Sequence, residues 1–163
     1  MKGDVMQNVR GNLGVTLGKR KPPVYVFAAL VAMLAAHLLV PIALVLVFPW
    51  NLIGLAPLFL GAALAVYAIR LFATHKTTPE PFGVSGALVT GGPFRVTRNP
   101  MYLGIILMVS GVAALFGTAG PWLVVPVLGY LLDAVFVRRE EEKMELLFGD
   151  AYMNYKNRVR RWI

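Results

Sequence analysis

Two short segments of this chain hold most of the residue types able to do chemistry. The first, GGPFRVTRNPMYLG at residues 91–104, sets Arg95 and Arg98 ahead of Asn99, Pro100 and Tyr102. Asn99-Pro100 reads as a helix start, with asparagine as N-cap and proline in the first turn. The free N–H groups of such a start, with Arg98 beside them, suit a carboxylate or phosphate. The second, RREEEKMELLFGDAYMNYKNRVRRWI at residues 138–163, places Glu140, Glu141 and Glu142 directly after an apolar run. Read alone, those glutamates form i, i+3 and i, i+4 pairs with Arg138, Arg139 and Lys143 on a solvated helix face. The chain has no cysteine, which excludes disulfides, thiolate metal sites and Cys nucleophiles. His37 and His75 are the only histidines, too few for a His-rich cluster, and no metal site is expected.

Apolar runs must position these segments. The 163 residues are 58% hydrophobic and 15% charged, with a mean hydropathy of +0.67. Soluble domains are nearer half apolar and a quarter charged. The first run, Val24 to Phe48, exceeds the ~20 residues that cross a hydrocarbon core, and Pro41 is expected to kink it. The second is Leu52 to Phe72, so residues 48–51 make a tight hairpin turn. After residue 100 the sequence GTAGP at 117–121 divides a long run into helices over about 100–116 and 122–137, the second carrying Pro126 and Asp133. The last helix is expected to continue outward and bring Glu140 and Glu141 to the bilayer surface. Met144, Leu147, Tyr155, Val159 and Trp162 then form an apolar stripe for a C-terminal helix lying against the bundle. The reading is all-α: a multi-pass bundle of about four spans in two hairpins, with a cytoplasmic C-terminal helix, forming a single domain over residues 1–163.

The sixteen Lys and Arg fall in three groups: five in residues 1–21, four in 70–98 and seven in 138–161. The positive-inside rule therefore places both termini and the 73–99 loop in the cytoplasm. The net charge of +8 is a topogenic signal, with attraction to anionic lipid as a consequence, and no nucleic-acid partner is expected. Residues 1–23 form a cytoplasmic segment, in which Val5, Val9, Leu13 and Leu17 suit either an interfacial helix or an unstructured tail. His37 reads as a neutral, hydrogen-bonded packing residue, and Asp133 either pairs with Arg70 or lines a substrate entrance.

Together the two polar segments resemble the superfamily of isoprenylcysteine carboxyl methyltransferases and phospholipid N-methyltransferases. Its signature is Arg-His/Asn-Pro-x-Tyr-x-Gly, then paired glutamates before Phe-Gly-x-x-Tyr-x-x-Tyr. The matches are Arg98, Asn99, Pro100, Tyr102 and Gly104, then Glu140, Glu141, Phe148, Gly149, Tyr152 and Tyr155, within residues 77–163. The resemblance implies S-adenosyl-L-methionine as methyl donor, bound at the cytoplasmic ends of the last helices. Carried over by position, the cofactor pocket comprises Leu88, Val89, Phe94, Asn99, Pro100, Met101, Tyr102, Gly104 and Glu140. Arg98, Tyr102 and Glu141 are the implied catalytic residues. The isoprenylcysteine branch carries Arg where this chain has Phe136, which disfavours a prenylated substrate.

Methyl transfer from a sulfonium is an in-line displacement that needs alignment and exclusion of water more than acid–base groups. In that reading Glu140 accepts from the donor's amine or ribose, the helix start with Arg98 holds its carboxylate, and Tyr102 faces the cationic sulfur. The implied acceptor is lipid-soluble or a small amphiphile that enters from the bilayer. Two other functions fit the sequence less closely: an NADPH-dependent membrane reductase of the sterol-reductase type, and a membrane module without catalysis.

Overall fold

The computed structural model describes residues 22–40, 43–74 and 87–163. The expectations for residues 1–21, for a kink at Pro41 and for His75 lie outside the described residues. Helix α1 spans Pro22–Leu39. The first apolar run was expected to stay helical to Phe48, and the structure ends the helix at Leu39 instead. Val40 stands before a proline, whose ring disfavours α geometry in the preceding residue. Residues 43–47 then run along the turn at 117–119. Val45 and Leu46 donate their N–H groups to the Gly117 carbonyl at 2.8 and 3.1 Å, and Ala119 donates to Ala43 at 2.9 Å. Gly117 has φ of 73°, and a Cβ there would sit 2.3 Å from the Leu46 carbonyl oxygen.

A 3₁₀ turn at Trp50–Gly54 leads into α2, Leu55–Thr74. Helix α3 spans Pro100–Phe116 and stops where Gly117 takes the left-handed conformation. Helix α4, Gly120–Leu132, passes through a π turn at Asp133–Val137 into α5, Arg138–Phe148. Gly149, at φ of 50°, separates α5 from α6, Asp150–Arg158. Among the described residues the extended pairing is confined to the single bridge Leu44–Thr118.

Helices α2 and α3 run antiparallel in the most extensive contact of the bundle, and α4 packs against both α3 and α1. Glycines decide how closely α2 and α3 approach. A Cβ on Gly61 would lie 2.4 Å from the Gly104 oxygen, and one on Gly54 would lie 2.4 Å from the Gly111 oxygen. Gly54 closes the 3₁₀ turn that leads into α2, and on each side of the contact the two glycines are about two helical turns apart, so they share one face, and small residues there let the backbones touch.

The stretches Pro22–Leu39, Trp50–Thr74 and Gly120–Phe148 are long and apolar enough to cross a membrane, and Pro100–Phe116 is a shorter apolar helix. Phe27, Leu34, Leu38, Phe59, Leu60, Leu123 and Val127 remain exposed on the outside of the bundle. Helices apolar all round are expected of a bilayer rather than of a water-facing surface. The 29 residues of Gly120–Phe148 extend for ~44 Å at ~1.5 Å per residue. That exceeds a hydrocarbon core of about 30 Å, so the charged end of α5 projects beyond the apolar part.

Candidate active site

The π turn sets which side of α5 faces inward. Along the second half of α4 the buried positions are Leu128 and Leu132, continued by Phe136. Within the turn Val137 joins Phe136 in the interior, and beyond it the buried position is Glu141. The extra residue advances the inward stripe by one position, the effect expected where a wider turn interrupts an α-helix. Glu141 is thereby carried into the interior, and Glu140 beside it meets α3.

Tyr102, on the first turn of α3, is 4% exposed. Its hydroxyl donates to Glu140 Oε1 at 2.6 Å. Its ring stacks on Phe136 with centroids 6.2 Å apart, and Tyr25 of α1 meets the same Phe136 edge-on at 5.3 Å. The two polar segments, 38 residues apart at this contact, therefore converge at one end of the bundle. The turns at 48–51 and 117–119 lie at the other end, where His37 Nδ1 and Thr118 Oγ1 are 2.9 Å apart.

A second, charged contact lies beside the first. Arg98 Nη2 is 3.1 Å from Glu141 Oε1, with both side chains less than a tenth exposed. Arg98 Nη1 donates to the Lys156 carbonyl at 3.1 Å. Its Nε is buried without a hydrogen-bond partner among the described residues. From the C-terminal segment Arg161 reaches the other side of Glu141, with Nη2 at 2.8 Å from Oε2 and Nε at 3.2 Å from both oxygens. Those hydrogen bonds raise the Arg161 pKa further. Arg161 Nη1 also lies 3.5 Å from Asp133 Oδ1, and Arg138 Nε lies 2.8 Å from Asp133 Oδ2. Asp133 is thus held by Arg138 and Arg161, where the sequence had left Arg70 as one candidate partner.

The segment between a second 3₁₀ turn, at Gly92–Arg95, and α3 is fixed from the same side. The Thr97 hydroxyl and the Asn99 amide donate to the Arg161 carbonyl at 3.0 and 3.2 Å. The Arg98 N–H donates to the Arg160 carbonyl at 3.0 Å. Asn99 stands at the N-cap position, but its side chain makes no capping bond and is turned to the C-terminal segment. Among the described residues no side-chain hydrogen bond caps the α3 start.

The other positions singled out in the sequence divide between two places. Val89 and Phe94 are buried with Ala68, Tyr152 and Tyr155, and Leu88 and Met101 pack against them. The Tyr155 hydroxyl donates to the Phe94 carbonyl at 2.7 Å. Burial raises its pKa to about 12 and raises that of Tyr152 as well, so both phenols remain neutral. Pro100 is buried at the first position of α3. Gly104 points elsewhere, onto Gly61 of α2. Glu142 and Arg95 are exposed. Sequence reasoning missed Arg161 and Thr97, because RVRRWI reads as one more topogenic basic cluster.

A family model described as phospholipid methyltransferase matches residues 50–151. An uncharacterized protein of Haemophilus influenzae is 35% identical to this chain over 63 residues, which is 39% of this chain and all of that protein. Phosphatidyl-N-methylethanolamine N-methyltransferase of Saccharomyces cerevisiae is 31% identical over 110 residues. That alignment takes in 66% of this chain and 53% of the yeast protein, so the chain spans about half the length of this relative. No solved structure matches the chain significantly.

Proposed function

The chain belongs to the phospholipid methyltransferase family, and from that premise we propose that it transfers a methyl group from S-adenosylmethionine to the amine of an ethanolamine-type phospholipid. The observation that carries the reading is the Tyr102–Glu140 contact at the polar end of an otherwise apolar bundle. Likeness to the yeast phosphatidyl-N-methylethanolamine N-methyltransferase supports an amine as acceptor.

The residues present suit the donor. S-adenosylmethionine, when bound, supplies a methyl group on a cationic sulfur. Glu140 and the aromatic face of Tyr102 offer a carboxylate and a quadrupole to cations. Arg98 retains a buried Nε–H without a partner among the described residues, and the α3 start adds N–H groups, so a carboxylate is favoured on that side. Glu141 holds Arg98 in place, so in this reading Arg98 and Glu141 act as a pair. Leu88, Val89, Phe94 and Met101 form the apolar wall, which suits an adenine and keeps water out. Asn99 and Pro100 set the α3 start against that wall. The acceptor reaches Tyr102 and Glu140 from the bilayer, and both termini and the donor site face the cytoplasm.

Protein reconstituted in vesicles containing phosphatidylethanolamine or its N-methyl derivative, given donor labelled in the methyl group, is expected to place label in the extracted lipid headgroup. Label absent from every lipid, with no binding of S-adenosylhomocysteine, would remove the reading.

A further inference from the structure

We propose that Arg161 is a positioning residue of the active centre, a clasp that fixes α5 and residues 97–99 relative to one another from a single point. Its kinetic test rests on the methyl-transfer reading above. The side chain holds the acidic helix through both oxygens of Glu141 and through Asp133 at the π turn. The main chain of the same residue holds the opposite half, because its carbonyl accepts from Thr97 and Asn99. On one side Arg160 accepts from the Arg98 N–H. On the other, Trp162 packs against the cluster that contains Tyr102 and Phe136.

Glu141 adjoins Glu140 in the chain, and Asn99 opens the helix that bears Tyr102. The 2.6 Å contact between Glu140 and Tyr102 is therefore bracketed on both partners by one residue. An arginine fits this task where a lysine does not. Its planar fork reaches two carboxylates from fixed angles, whereas an ammonium is a single point charge. The Arg161 side chain is 34% exposed, so solvent screening leaves its ion pairs little to add to stability alone. Placement gains more, since small displacements at a displacement reaction lower the rate steeply.

The test uses the full chain in vesicles of phosphatidylethanolamine and phosphatidylglycerol. It compares wild type with R161A, R161K, E141Q and the R161A/E141Q double variant. R161A is expected to lower kcat/KM for the donor on the order of 100-fold, with R161K recovering only part. Millimolar guanidinium ion is expected to restore R161A severalfold and leave wild type unchanged. The double variant should be no worse than the more impaired single one, since both remove one shared contact. Amide hydrogen exchange at residues 98–103 should quicken at least tenfold in R161A and slow again with guanidinium. Wild-type kinetics and exchange in R161A would overturn the proposal. So would a loss that guanidinium does not relieve and that adds to that of E141Q. If wild type methylates no lipid, the methyl-transfer reading fails, and exchange with its guanidinium response still decides the clasp.

Discussion

A carboxylate that accepts from a buried phenol at 2.6 Å, with a second carboxylate beside it gripped by two arginines, gives neighbouring glutamates different tasks. Glu140 has its hydrogen bond to Tyr102, whereas Glu141 is enclosed by Arg98 and Arg161. Hydrogen bonds to charged groups contribute about 1.5–3 kcal/mol. E140Q is therefore expected to weaken S-adenosylhomocysteine binding tenfold or more in titration calorimetry, with the fold intact. Unchanged affinity would refute a donor-binding role for Glu140. E141A is expected to act on the fold as well. It strips Arg98 of its partner in the interior, and breaking one side of a buried pair costs about 3–5 kcal/mol. The double variant R98M/E141L removes both charges together and should regain most of that loss, read as the unfolding midpoint of purified protein in detergent. A double variant as unstable as E141A would show that the pair itself, rather than the orphaned charge, sustains the structure.

At the scale of elements, two local features carry the site. One is the π turn, which moves the inward stripe from Phe136 to Val137 and Glu141. The other is the glycine-lined contact of α2 with α3, which sets the depth of the helix carrying Tyr102. G61A and G104A would each place a methyl group within 2.6 Å of a backbone oxygen on the facing helix. The helices must then part, at a cost of about 1–3 kcal/mol, and Tyr102 moves relative to Glu140. Loss of both thermal stability and methyl transfer is expected. G129A is the matched control: its new Cβ would meet only the Ile106 side chain, at 3.7 Å. Alanine is better than glycine inside a helix by about 0.5–1 kcal/mol, so G129A should be neutral or stabilising. Equal damage from G129A would show that helix propensity, not close approach, governs these positions.

For the whole molecule, the arrangement is polar along the bundle axis, with the ion network at one end and the charge-free turns at the other. The absence of cysteine makes orientation directly testable by single substitutions. Ala43 and Asn157 are exposed at opposite ends. N157C is expected to react with a membrane-impermeant maleimide only from the cytoplasmic face, and A43C only from the other. The reverse pattern would invert the orientation, and with it the side from which the donor arrives.

Features that depend on neighbouring residues were legible in the chain before any fold was known. Run length and apolarity specified helices long enough to cross a membrane, Pro100 and Gly117 marked the bounds of α3, and the family likeness of the two polar segments assigned Tyr102 and Glu140 to one pocket. The sequence misjudged the end of α1, where a proline two positions past Leu39 outweighed continued apolarity. It did not assign Arg161 or the partner of Asp133, and it did not foresee that Gly104 abuts Gly61. Those features belong to the tertiary structure alone. An ion pair or a backbone contact between distant positions follows from helix register and approach, and these depend on a π turn and on facing glycines whose effect no local pattern expresses.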